Sequence, residues 1–178
     1  LIFINVFIYF SFNLVVPVDN ILIFFQINRN IIFEYEIWRL FTSMFFHIDP
    51  LHLFSNMIAL LLFGASVENN RNISKIQYFI VYFVSGLIGN LFSLLLLPLD
   101  VISLGASGAI FGLIGVAFII IATDSPPLLI YALLYVAIFI ISSIAPGINL
   151  WAHLFGLLGG ILFGYLFYTR KRKNEINY

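Results

Sequence analysis

In 178 residues the chain is 62% hydrophobic and only 9% charged, which leaves too little polar surface for a soluble domain of that size. Its formal net charge of zero offers no long-range attraction to nucleic acid, and the absence of cysteine removes disulfide and thiolate chemistry. What these values leave is a membrane protein, and its apolar runs, long enough for helices, make the expected class an all-α membrane protein in a single domain over residues 1–178.

A helix needs about 20 mostly apolar residues to cross the hydrocarbon core, and apolar runs close to that length predict six spans. The first covers about residues 1–16. It starts at Leu1, already inside the apolar run and without a basic flank, which fits a truncated N-terminus or an unusual start rather than a cleaved leader. A connection of about residues 17–50 follows, and its apolar patches, such as Ile21 to Phe25, are too short to cross. Interleaved Asp19, Arg29, Glu34, Glu36 and Arg39 suit short amphipathic helices lying at the membrane interface. Tyr35 and Trp38 suit the headgroup level.

The second span, about residues 51–67, carries His52 and Asn56 near its start, and Glu68 at its far end reads as a helix-end anchor. The third covers about 75–97, and the fourth, about 104–122, opens on "SLGASGAIFGLIG" with Ser107. The fifth covers about 127–144 and the sixth about 149–168, with His153 near its start and a basic tail at 169–178. Arg71, Lys75 and "RKRK" (Arg170 to Lys173) make one side cytoplasmic by the positive-inside rule. The 17–50 connection, the "PLD" loop and the "APGI" loop then face outside.

With that orientation His52, Asn56, Ser107 and His153 all lie roughly 5–10 Å below the outer ends of their helices, at 1.5 Å per residue. Ser107 and His153 are each expected about one helical turn in. At about 100° per residue, Gly156, Gly160 and Gly164 form a stripe on the face of His153, and Gly108, Gly112 and Gly115 form one near Ser107. Small residues at such spacing let membrane helices pack backbone to backbone. Stripe on stripe brings His153 within reach of Ser107, and Phe111, one turn below the serine, walls one side of the imidazole. Ala106 and Gly105 leave room above the serine.

A hydroxyl beside a neutral imidazole is a nucleophile with its general base. Attack on a carbonyl leaves a negative oxygen, for which His52, Asn56 and the Ser107 backbone N–H are the candidate donors. No acidic residue is placed to orient His153, so the sequence predicts a dyad and not a triad. Each residue taken singly has a plainer explanation: a small-residue turn, an interhelical hydrogen bond, ordinary helix packing. The shared depth of a serine, two histidines and an asparagine from separate spans favours the joint reading.

In these stretches the chain resembles the rhomboid family of intramembrane serine proteases, along nearly its whole length. "HIDPLHLFSN" is similar to the family's H-x4-H-x3-N motif, with His47, His52 and Asn56. "GASG" is similar to its G-x-S-G motif and holds Ser107, and "AHLFGLLGG" resembles A-H-x2-G-x3-G, with His153, Gly156 and Gly160. "WR" at Trp38 and Arg39 looks like the signature of the first external loop. The resemblance implies a six-transmembrane-helix rhomboid-like bundle with a long interfacial first external loop. It implies Ser107 as nucleophile, His153 as general base and His52 with Asn56 as oxyanion donors, with neither metal nor organic cofactor. The implied partners are the lipid bilayer and a membrane protein whose transmembrane helix is cut, near a small residue and helix-weakening neighbours. Water would reach the dyad from outside, with the fifth helix and "APGI" loop as gate and cap.

Within the resemblance His47 is a structural tie for the first external loop, and Arg39 with Glu34 or Glu36 forms a loop-stabilising cluster. Phe111 departs from the tyrosine often found there and keeps the ring without the hydroxyl. The rival reading is an inactive rhomboid-like protein that binds membrane segments without cutting; inactive relatives typically lack the serine or the histidine, and both are present. A small transporter or channel fits less well, since such proteins place polar groups near the midplane.

Overall fold

The computed structural model of the chain describes residues 1–13 and 15–169, so the basic stretch from Arg170 lies outside the described residues. Every apolar run predicted to span forms a helix. They are α1 (Ile2–Asn13), α2 (Pro50–Glu68), α3 (Lys75–Leu96), α4 (Ser107–Asp124), α5 (Leu129–Ser142) and α6 (Leu150–Thr169). By length and composition α2, α3, α4 and α6 can cross a membrane, whereas α1 and α5 are shorter apolar helices. One reason α5 is short is local: Pro126 and Pro127 hold the chain in a 3-10 turn, Pro126–Leu128, before the helix can begin.

The helix starts are built by side chains that satisfy free backbone N–H groups. Asp49 accepts from the His52 N–H at 2.9 Å with Pro50 in the first turn, and Asn149 accepts from the Ala152 N–H at 3.0 Å. Ser74 and Gln77 form a reciprocal capping box at α3. No side chain caps α4, whose N-cap is Ala106. Gly105 stands at φ +118, a conformation that cannot continue a helix. The fourth helix therefore begins at Ser107 and not near residue 104, so Ser107 is its first residue and does not sit one turn in.

The predicted glycine stripes meet. A Cβ on Gly156 would overlap the Gly108 carbonyl oxygen, and one on Gly160 that of Gly112. A Cβ on Gly115 would stand 2.5 Å from the Leu157 oxygen, and one on Gly89, on α3, 2.5 Å from that of Ala152. α6 thus lies backbone-close to both α4 and α3, which is how helices associate where lipid removes the hydrophobic drive between them. Around this contact Leu113, Val116, Val81 and Tyr82 are fully buried.

The stretch 17–49 is folded onto α3. It forms short helices (Val18–Ile21, Asn28–Phe33, Arg39–Thr42) and a strand, β1 (Gln26–Ile27), paired antiparallel with β2 (Ile102–Ser103). Gln26 donates to the Asn90 carbonyl at 3.0 Å, Asn28 to the Ser93 carbonyl at 3.2 Å, and Asn90 back to the Leu40 carbonyl at 2.7 Å. Arg39 is 3% exposed; burying its charge is offset by Glu36 at 2.5 Å and by the carbonyls of Leu22 and Phe25. Phe24 and Phe46 stack at 4.9 Å, with Phe12 of α1 edge-on to both. Because Ser103 pairs with Gln26, and the Gly105 N–H bonds the Ser43 carbonyl at 2.9 Å, this folded stretch holds the turn that delivers Ser107.

Candidate active site

Ser107 Oγ and His153 Nε2 stand 2.7 Å apart. The first residue of α4 and the first turn of α6 reach each other because the glycine stripes beneath them allow the backbones to touch. Phe111, one turn along α4, stacks on the imidazole with centroids 4.4 Å apart and planes 15° from parallel. His153 is buried at 8% exposure, so its ring is fixed by contacts and little wetted.

Both side chains open onto a cleft of about 1020 Å³, whose wall also carries His52, Asn56, Phe139 and Gly147. The neighbouring His52 ring accounts for Gly105. A Cβ there would meet His52 Nε2 at 2.7 Å and Ser107 Oγ at 3.9 Å. Gly105 therefore serves the turn and leaves the space that the His52 ring occupies, while Ala106 is wholly buried. The Asn56 amide gives one proton to the His52 carbonyl at 2.9 Å, which fixes its direction and leaves the second proton for a ligand. As the first residue of its helix Ser107 also has a backbone N–H with no partner within the helix.

His47, Trp38 and Arg39 lie outside the cleft. His47 is fully buried and lies edge-on to His52, centroids 4.9 Å apart. Burial, reinforced by the neighbouring His52, pushes its pKa down to about 3, so it stays neutral. Trp38 Nε1 bonds the Ile23 carbonyl at 3.3 Å, and Arg39 pairs with Glu36, not Glu34; the hydrogen bond from Arg39 holds the Glu36 carboxyl below its ordinary value. Glu68 anchors a helix end through Lys75 at 2.5 Å. No group of three or more His, Asp or Glu side chains among the described residues could hold a metal.

Two polar residues enter that the sequence reading passed over. Ser143, just past α5, lies 2.6 Å from His153 Nδ1. Asn149 accepts from Ser93 at 3.0 Å and donates to Ser103 at 2.9 Å, tying the start of α6 to α3 and β2. The signal for Asn149 was available, as a helix-capping residue heading an apolar run. For Ser143 there was only a serine pair at the end of an otherwise apolar helix.

Residues 34–170 match the family model of the Rhomboid domain. The chain belongs to the rhomboid family. YdcA of Bacillus subtilis, which carries the name of a rhomboid protease, is 38% identical over 145 residues, covering 78% of this chain and 71% of that protein. RHOMBOID-like protein 1 of Arabidopsis thaliana is 34% identical over 156 residues, 83% of this chain and 39% of its own length. Another relative from that plant, Inactive RHOMBOID-like protein 8, is 35% identical over 82 residues, 46% of this chain and 22% of its own. The chain thus spans well under half of these plant rhomboids. Rhomboid membership and the apolar helices make this a helical membrane protein with several spans.

Proposed function

We propose that this rhomboid is an intramembrane serine endopeptidase that cuts a peptide bond in or beside a transmembrane helix of another membrane protein. The observation that carries the reading is the 2.7 Å contact of Ser107 Oγ with His153 Nε2 at a cleft that His52 and Asn56 also line. As Ser107 Oγ attacks the carbonyl carbon, its proton passes to His153 Nε2. The carbonyl oxygen becomes an oxyanion, facing donors from His52, Asn56 and the Ser107 N–H. The imidazolium then protonates the leaving amine, the C–N bond breaks, and an acyl-serine is left. Water gives its proton to the same nitrogen as it attacks the ester; the C–O bond to Ser107 then breaks, Nε2 returns the proton to Oγ, and the acid leaves.

In this reading α1 and α5 complete a six-helix bundle, the stretch 17–49 lies at the outer interface, and the C-terminus is cytoplasmic. Arg71 and Lys75 on the far side from the site support that orientation. A substrate helix would enter beside α5, which buries none of its own residues. The non-cutting alternative has a relative named inactive in its favour; the presence of both Ser107 and His153, in contact, weighs against it.

The test is labelling of the purified protein in detergent with a fluorescent fluorophosphonate, beside Ser107→Ala and His153→Ala. Label taken up by the wild type and by neither variant supports the protease. A folded, monodisperse wild-type sample that takes none would favour the non-cutting binder.

A further inference from the structure

We infer that Ser143 is a positioning residue that fixes which nitrogen of His153 carries the proton, and so keeps the base ready for Ser107. The inference rests on the protease reading and deepens it. A serine hydroxyl has one proton and can accept at its lone pairs. Ser143 Oγ donates that proton to the Phe139 carbonyl at 2.7 Å. It also lies 2.6 Å from His153 Nδ1, and with its proton on that carbonyl it meets that nitrogen as an acceptor. In that arrangement Nδ1 bears the hydrogen. In a neutral imidazole the other nitrogen is then bare, and Nε2 is the atom 2.7 Å from Ser107 Oγ. Ser107 donates, His153 accepts, and the pair is set for transfer in the productive direction.

The opposite tautomer would place N–H against N–H's usual acceptor on the wrong side: Nε2–H would donate to Ser107 Oγ and could take no proton from it. Ser143 opposes that state because Nδ1 would face an oxygen whose only proton is spent. The hydroxyl is 2% exposed, so no bulk water replaces it. When Ser107 gives up its proton, both nitrogens carry hydrogen, and Ser143 still accepts from Nδ1. A partner on the second ring nitrogen is what selects tautomer and ring orientation in histidine sites generally. Here a hydroxyl, aimed by its own bond to the preceding helical turn, takes the place of the missing carboxylate. The α5 terminus thereby touches the chemistry itself.

Ser143→Ala and Ser143→Thr separate this from a merely structural serine. The measurements are the saturating rate and the half-saturating concentration of fluorophosphonate labelling, with the ¹⁵N spectrum of imidazole-labelled protein, His153 assigned by its substitution. We expect the saturating rate to fall on the order of tenfold in the alanine variant, the cost of returning the proton to an Nδ1 left without a partner, with half-saturation within about twofold. Threonine, which keeps the hydroxyl, restores the rate. The His153 proton sits on Nδ1 in the wild type and moves to Nε2 in the alanine variant. An unchanged rate in a folded Ser143→Ala, or a wild-type proton on Nε2, overturns the inference. A wild type that takes no label at all sinks the protease reading instead, and the spectrum then decides on its own whether Ser143 sets the tautomer.

Discussion

Phe111 and His153 lie face to face, ring centroids 4.4 Å apart and planes 15° from parallel. The phenyl ring holds the imidazole at the angle that points Nε2 toward Ser107, and Phe139 stands edge-on to Phe111 with centroids 6.1 Å apart. Stacking of this kind contributes about 0.5–1.5 kcal/mol beyond the area buried. Phe111→Leu keeps most of the volume and loses the stack. We expect its fluorophosphonate labelling to slow by about three- to tenfold, since 1.4 kcal/mol is a factor of ten, with a melting temperature close to wild type. Phe111→Tyr keeps the ring and the rate. Equal labelling of the leucine and wild-type proteins would remove the stack from the site.

Gly105 joins two demands at one residue, a φ of +118 and the closeness of His52 Nε2. Gly105→Ala is strained by the first and displaces the His52 ring by the second. The backbone strain alone costs about 1–3 kcal/mol. If His52 helps hold the oxyanion, the labelling rate falls further than that stability loss explains, by on the order of a hundredfold, as when one oxyanion donor is removed elsewhere. Measuring rate and thermal unfolding on the same sample separates the two effects. A rate loss no larger than tenfold would take His52 out of the oxyanion site.

The contact between α4 and α6 predicts a contrast between glycines. At Gly156 an added methyl overlaps the Gly108 carbonyl, so the helices must part; at Gly147, in the turn before α6, the space is open and only φ +81 resists. Gly156→Ala should cost about 3 kcal/mol or more, beyond ordinary overpacking, because backbone and not a flexible side chain stands in the way. Gly147→Ala should cost about 1–2 kcal/mol from the backbone alone. Thermal unfolding in one detergent would show a large drop for the first and a small one for the second. Equal drops would contradict the packing.

How much of this was legible depends on the range of the signal. The stripes of Gly108, Gly112, Gly156 and Gly160 were readable because helical periodicity is local and their partner is another such stripe. The pairing of Ser107 with His153 followed from it. The depth of Ser107 was misjudged by about a turn, since apolar character runs back to Leu104 and hides the break that Gly105 makes in the helix. Ser143 was out of reach for a different reason. Its role depends on how residues 143–149 fold back from α5 to α6, and nothing periodic governs that turn. Gln26 and Asn28 likewise look like interruptions in an apolar run until α3 supplies the carbonyls they bind.

His47 gives the fold a pH dependence whose sign is fixed by its burial. Its ordinary value is 6.5, and in the folded chain it is pushed down to about 3, chiefly by burial and then by His52, with a backbone hydrogen bond to Phe45 and then Asp49 pulling the other way. Between those values the unfolded chain binds a proton that the folded chain refuses, so the unfolded state is favoured as pH falls. The contribution is therefore fully present above 6.5 and is lost progressively toward 3. By pH 5 the loss from this group is about 2 kcal/mol, at 1.36 kcal/mol per unit. Melting temperatures at pH 7.5 and pH 5 should thus differ by several degrees in the wild type and by less in His47→Gln, whatever the variant's starting stability. His52 and His153 are present in both proteins and drop out of the comparison. An acid limb equally steep in the variant would mean that His47 takes up its proton in the folded chain.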